Sequence, residues 1–159
     1  MNVIVLGGAG FIGSHLSEYL LKKKYSVKII DNLSTGRLEN ISHIRNKIKF
    51  IKADISKKGN WIKEFKNQDY IFHLAALADI VPSIDNPIKY YNANVTGTLN
   101  ILEAIKKFKV KKIIYAASSS CYGIPKKYPT KETEKIDPLF PYAVTKYLAE
   151  ELVIYWSKI

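Results

Sequence analysis

A doubly wound parallel α/β sheet is the fold class this sequence predicts, on three observations. Short apolar runs bounded by turn residues alternate with helix-period segments along the chain, the pattern of βαβ units. The first run, Val3-Ile4-Val5-Leu6, feeds directly into Gly7-Gly8-Ala9-Gly10-Phe11-Ile12-Gly13, three glycines spaced by threes. The second run ends on an acid, Asp31, 18 residues after the last of those glycines.

The elements follow in order. Residues 2 to 6 are a strand, apolar from Val3 to Leu6, and the helical pattern after the glycines runs from about 11 to 23. The second strand covers 26 to 30 and delivers Asp31 at its carboxyl end. Residues 32 to 46 read as a loop with a short turn of helix, before a third strand at 48 to 51 and a helix at 58 to 66. A fourth strand is expected at 70 to 74, then a long helix at 87 to 108 with Tyr91, Val95, Leu99, Leu102 and Ile105 on one face. The fifth strand falls at 111 to 116. Residues 123 to 141, with Pro125, Pro129, Pro138 and Pro141, form an irregular excursion. The last helix, 142 to 159, is crowded with Tyr147, Leu148, Leu152, Ile154, Tyr155 and Trp156. Core packing accounts for most of these apolar positions, and the surplus suits a homodimer contact through the helices near 87 to 108 and 142 to 159.

Composition bounds the function classes. A chain of 159 residues, 47% hydrophobic, suits one folded unit with a sizeable core. No run approaches the roughly 18 to 20 apolar residues of a membrane span, and residues 2 to 6 leave no room for a signal peptide. The single cysteine, Cys121, allows no intrachain disulfide and no multi-cysteine metal site; no metal is expected, and a cytoplasmic location is the default. The net charge of +11 raises nucleic acid as a partner. That partner is not expected, because the basic residues are scattered lysines and arginine appears only at Arg37 and Arg45.

The glycine turn is a phosphate cradle. A side chain at Gly7 would crowd the turn, one at Gly10 would hold a pyrophosphate away from the backbone, and one at Gly13 would push the helix off the sheet. The helix that follows presents unpaired N–H groups to two phosphates. A carboxylate at Asp31 accepts from adenosine ribose hydroxyls and repels a 2′-phosphate, which favours NAD over NADP, with Arg37 as the residue that keeps NADP open.

Several further stretches, in order, resemble markers of the extended short-chain dehydrogenase/reductases, in their NAD-dependent epimerase/dehydratase branch. They are Asp31-Asn32-Leu33-Ser34-Thr35-Gly36, Ala53-Asp54-Ile55, His73-Leu74-Ala75-Ala76, Asn94-Val95-Thr96-Gly97-Thr98, Ser118-Ser119-Ser120-Cys121-Tyr122-Gly123 and Tyr142-Ala143-Val144-Thr145-Lys146. The match spans residues 2 to about 156, and the flavour is that of UDP-glucose 4-epimerases. The resemblance implies a Rossmann-type sheet that holds NAD through Gly7, Gly10, Phe11, Ile12, Gly13, Asp31, Asn32, Ser34, Thr35 and Gly36. Asp54 and Ile55 would flank the adenine. Leu74, Ala75 and Ala76 would let the dinucleotide approach the backbone, and Asn94 would tether backbone near the active site.

The same resemblance assigns catalysis to Ser118, Tyr142 and Lys146. Tyr142 and Lys146 stand four residues apart and share a helix face. A tyrosine with a pKa near 10 is a poor base at neutral pH, and a nearby ammonium brings it toward the working range. Tyr142 and Lys146 would also hold the nicotinamide ribose. In related 4,6-dehydratases an Asp-Glu pair follows the Ser/Thr; here Ser119 and Ser120 stand there. Elimination of water then lacks its carboxyl groups, so epimerisation of a nucleotide sugar, a UDP-sugar first, is expected over dehydration. Ser83 and the loop from Leu77 to Asn86 are placed to touch substrate. Relatives in the branch run to about twice this length, so the sheet's last strands and the substrate domain are expected to lie outside these residues. The alternatives are a non-catalytic NAD-binding module, or a dehydratase, decarboxylase or reductase of the same branch.

Overall fold

The computed structural model describes all of residues 1–159. Five parallel strands, β1 (Asn2–Leu6), β2 (Ser26–Asp31), β3 (Lys49–Lys52), β4 (Tyr70–His73) and β5 (Lys112–Tyr115), form one sheet in the order β3-β2-β1-β4-β5. The helices are α1 (Phe11–Lys22), α2 (Val81–Asp85), α3 (Pro87–Tyr91), α4 (Gly97–Phe108) and α5 (Pro141–Lys158). No helix is long and apolar enough to cross a membrane.

Side-chain alternation along β1 explains the layering. Val3 and Val5 point to one face, where they meet Val27, Ile29, Leu20 of α1 and Ile41 and Ile44. Ile4 and Leu6 point to the other, into Ile30, Ile71, Trp61, Phe65 and Ile101 of α4. A central strand covered on both sides reads as continuously apolar, which is why residues 3 to 6 carry no polar side chain.

Four expectations change in detail. The short turn of helix expected within the loop over 32 to 46 is longer, a run of 3₁₀ turns from Leu38 to Lys47 pinned by buried Ile41 and Ile44. The helix expected at 58 to 66 is a 3₁₀ turn, Asn60–Phe65, that anchors Trp61 and Phe65 in the core. The helix expected as one piece over 87 to 108 is α3, a π turn at Asn92–Thr96, and α4. The excursion after β5 begins with a 3₁₀ turn, Ser119–Tyr122. In each case tertiary contacts override a helical or loop periodicity that local sequence cannot discriminate.

Candidate functional site

Strand register brings the functional segments to one rim. Leu6 pairs with Ile30 and with His73, and His73 with Tyr115, so the carboxyl ends of β2, β1, β4 and β5 are level. The chain order reverses between β1 and β4, and ligands of open α/β sheets bind at such a reversal. The glycine turn sits there. Gly7 has φ +77°, and a Cβ on it would lie 2.8 Å from the backbone nitrogen of Ala75. At Gly13 a Cβ would lie 2.2 Å from the Gly7 carbonyl oxygen, so the glycine sets how closely α1 approaches the turn. Gly10 differs: a Cβ there meets only the Gly7 oxygen, at 3.3 Å, and its remaining side is open. No side chain caps the amino end of α1, which leaves its first N–H groups free for an anion.

A cleft of about 650 Å³ opens beside this turn. One wall carries Gly7, Gly10, Asp31, Asn32, Ser34, Thr35 and Gly36, and its far end Asp54 and Ile55. Leu74, Ala75 and Ala76 line it as well. Asp31 serves structure too: its carboxylate accepts from the N–H of Ala9 at 2.9 Å and of Leu33 at 2.8 Å, tying the glycine turn to the loop after β2. Asp54 accepts from the N–H and hydroxyl of Ser56. Each carboxylate keeps lone pairs for a further donor.

Phe11 and Ile12 are exposed at the start of α1 and do not line the cleft, and Gly13 lies buried behind the turn. The cleft is also lined by Leu77, Asp85 and Asn86, from the loop expected beside substrate, and by Pro87, Ile88, Lys89, Asn92 and Ala93, which the sequence reading missed. The only signal for these five was Pro87 at a helix start, which marks an element and no ligand.

Ser118, Tyr142 and Lys146 gather at the β5 end of the rim, outside that cleft. Ser118 Oγ lies 3.3 Å from Tyr142 Oη and 2.7 Å from Ser120 Oγ. Lys146 is buried; its Nζ donates to the Ala116 carbonyl at 2.7 Å, and burial draws its pKa down to about 8, with Glu150 opposing. Ser83 corrects an expectation. It is 0% exposed and its hydroxyl accepts from the N–H of Tyr142 at 3.1 Å, capping α5 where Phe140 supplies no side-chain cap. Ser83 therefore anchors the helix that carries Tyr142, and it has no surface to offer a substrate. Replacing it with alanine leaves that amide unpaired; unfolding should come about 1–2 kcal/mol earlier, a fall of roughly 2–8 °C in thermal denaturation.

Asn94, expected to tether backbone near the active site and counted with the cofactor residues, is 2% exposed, does not line the cleft and makes internal hydrogen bonds. Its Oδ1 accepts from the Leu77 N–H at 2.8 Å, while its Nδ2 donates to the Leu77 carbonyl and to Thr145 Oγ1, each at 3.1 Å. One amide thus ties the segment after β4 to α5. The π turn delivers it there. Within that turn the Asn94 carbonyl accepts the Thr98 hydroxyl at 2.6 Å, so Thr98 must in turn accept from His73 Nε2, 2.9 Å away. His73 is thereby fixed as the neutral Nε2–H tautomer, and burial, with Lys146 adding, draws its pKa down to about 3.

A parallel sheet reversing at a glycine turn, beside a helix bearing Tyr142 and Lys146, defines a Rossmann-type protein of the short-chain dehydrogenase/reductase class. Within it, a family model described as GDP-mannose 4,6 dehydratase matches residues 4–159, and the chain belongs to that family. It is 36% identical to the UDP-glucose 4-epimerase of Lactobacillus helveticus over 99% of its own length and 48% of the relative's. Among solved structures it superposes with TM-score 0.93 on UDP-glucose 4-epimerase with UDP-glucose from Thermotoga maritima, at 36% identity over 99% of this chain and 52% of that one. It superposes with TM-score 0.89 on UDP-glucose 4-epimerase from Bifidobacterium longum in complex with NAD+ and UDP, at 34% identity over 98% and 48%. The chain spans about half the length of the curated relatives it matches.

Proposed function

We propose that these residues are the NAD-binding part of a nucleotide-sugar 4-epimerase whose substrate is a UDP-sugar. The observation that carries the reading is the pairing of Ser118 and Tyr142 hydroxyls, 3.3 Å apart, at the same rim as a cleft sized for a dinucleotide. Likeness to UDP-glucose 4-epimerases over nearly the whole chain supports it.

The cradle fits the cofactor on this structure's own terms: the side of Gly10 away from the turn is open, and no side chain caps the first N–H groups of α1. Gly7, Gly10 and the amino end of α1, flanked by Phe11 and Ile12 and seated by Gly13, would hold the pyrophosphate. Asp31, with Asn32, Ser34, Thr35 and Gly36, would take the adenosine ribose; Asp54 and Ile55 the adenine. Leu74, Ala75 and Ala76 would allow close approach, and Asn94 would fix Leu77 behind them. Lys146 and Tyr142 would face the nicotinamide ribose.

Bound NAD supplies a reversible hydride acceptor for the sugar C4. The chain's own groups do the proton chemistry. Ser118 Oγ holds the C4 oxygen, and Tyr142 Oη removes its proton and later returns it. Lys146 stands one helical turn after Tyr142, on the same face of α5. Ser119 and Ser120, where related dehydratases carry Asp-Glu, offer no carboxyl group for elimination, which favours epimerisation over the dehydratase alternative. The test is UDP-glucose deuterated at C4 given to the whole protein. Epimerisation yields UDP-galactose with the deuterium kept at C4; a 4-keto-6-deoxy product would overturn the reading in favour of a dehydratase.

Two coarser features follow. Ile84, Ile88, Tyr91, Leu148 and Tyr155 leave an apolar strip exposed on α2, α3 and α5, which suits a symmetric homodimer. The buried free thiol of Cys121 suits a reducing compartment, the cytoplasm.

A further inference from the structure

Lys146 does not stand alone at its end of the rim. Tyr115, the last residue of β5, grips it at two points. The tyrosine hydroxyl donates to the Lys146 carbonyl at 3.2 Å, and the ring face lies beneath the ammonium, with Nζ 4.1 Å from the ring centroid. On its other flank the ring meets His73 edge-on, with centroids 5.3 Å apart. A ring held by its hydroxyl and by a neighbouring imidazole cannot easily turn away. The ammonium above it has three N–H donors, and one is spent on the Ala116 carbonyl at 2.7 Å.

We propose that Tyr115 is a positioning residue for Lys146, its ring face holding the ammonium at the β5 end of the rim through a cation–π contact. The proposal rests on the assignment of Lys146 above only for its consequence to Tyr142. A desolvated cation over an aromatic face is attracted by the negative potential of the ring. That attraction favours the charged form of a lysine whose burial, drawing its pKa down to about 8, favours the neutral one. Among the groups on the neighbouring elements, only Glu150 acts in the same direction. On α5, Glu150 raises the lysine from a half-buried position. On β4, His73 is neutral above about pH 3. From the 3₁₀ turn Ser119–Tyr122, Cys121 is buried with its thiol pushed up, and it stays neutral. The aromatic ring therefore adds to Glu150 in favouring the ammonium, and of the two it is the ring that lies directly against Nζ.

The experiment follows the Lys146 titration by carbon-13 NMR of lysine labelled at Cε, with the resonance assigned by its loss in Lys146→Met. It needs neither NAD nor sugar, so failure of NAD binding would sink the functional reading and leave this one testable. Tyr115→Phe removes the hydroxyl and keeps the ring; Lys146 should titrate as in the unaltered chain. Replacement by 3,4,5-trifluorophenylalanine keeps the shape and drains the ring face of negative potential. Lys146 should then titrate about one pH unit lower. Tyr115→Leu should lower it at least as far where that variant folds. If the trifluorinated ring titrates Lys146 as phenylalanine does, the cation–π contact does not hold the ammonium. If Tyr115→Phe already shifts it as far as the fluorinated variant, the hydroxyl is the agent and the proposal is overturned.

Discussion

Gly13→Ala should destabilise the fold and weaken NAD binding together, whereas Gly10→Ala should spare the fold and abolish binding. At Gly13 the added methyl lies 2.2 Å from the Gly7 oxygen and 2.7 Å from the Gly8 Cα. Both are backbone atoms, so no side chain can swing aside, and α1 must move off the turn. Overpacking of this kind costs about 2–3 kcal/mol, a loss of roughly 4–12 °C in melting temperature. The displaced helix carries its free N–H groups with it, so affinity falls about tenfold for each 1.4 kcal/mol of lost phosphate contact. At Gly10 the methyl meets one atom at 3.3 Å and otherwise points into open space, and the backbone there is already extended. Stability should stay within about 0.5 kcal/mol. Thermal denaturation and calorimetric titration on the same two variants separate the glycine that seats the helix from the glycine that admits the pyrophosphate. A stable Gly10→Ala chain that binds NAD normally would contradict this division.

Tyr142→Phe should remove activity from the whole protein while leaving its fold and NAD affinity near those of the unaltered one. The substitution deletes only the hydroxyl, whose one partner is Ser118 Oγ at 3.3 Å. The helix cap is untouched, because Ser83 binds the Tyr142 amide and not its side chain. Loss of a positioned acid–base group costs about 10²–10⁴ in rate. Ser118→Ala should cost less, because under the proposed mechanism it would remove a hydrogen bond to the sugar oxygen and leave Tyr142 in place. A Tyr142→Phe protein that retains epimerase turnover would remove Tyr142 from the chemistry.

The parts of the fold and site that could be read in sequence share a physical reason: they are local. The glycine turn, the strand before it and the acid at the end of β2 fall within 31 consecutive residues, and their backbone demands are written in residue type. Tyr142 and Lys146 are four apart on one helix, so their common face follows from helical geometry alone. What could not be read is set by contacts distant in sequence. The π turn at Asn92–Thr96 interrupts an unbroken helical pattern because Asn94 reaches Leu77 and Thr145, 17 and 51 residues away. Ser83 looked like a loop residue facing substrate, and only the fold places it under the start of α5, 59 residues on. Tyr115 read as an ordinary strand residue until β5 and α5 were brought side by side. A buried polar residue whose partner is far along the chain leaves no periodic signal.

Calorimetric titration of the chain with NAD is the most direct test of the central claim, that the glycine turn, Asp31 and the rim above β4 and β5 form a working dinucleotide site. The predicted result is saturable binding of one NAD per chain, lost in Gly10→Ala and weakened in Asp31→Ala. An unaltered, folded chain that gives no binding heat at any temperature tried, and shows no rise in melting temperature with excess NAD, would contradict it.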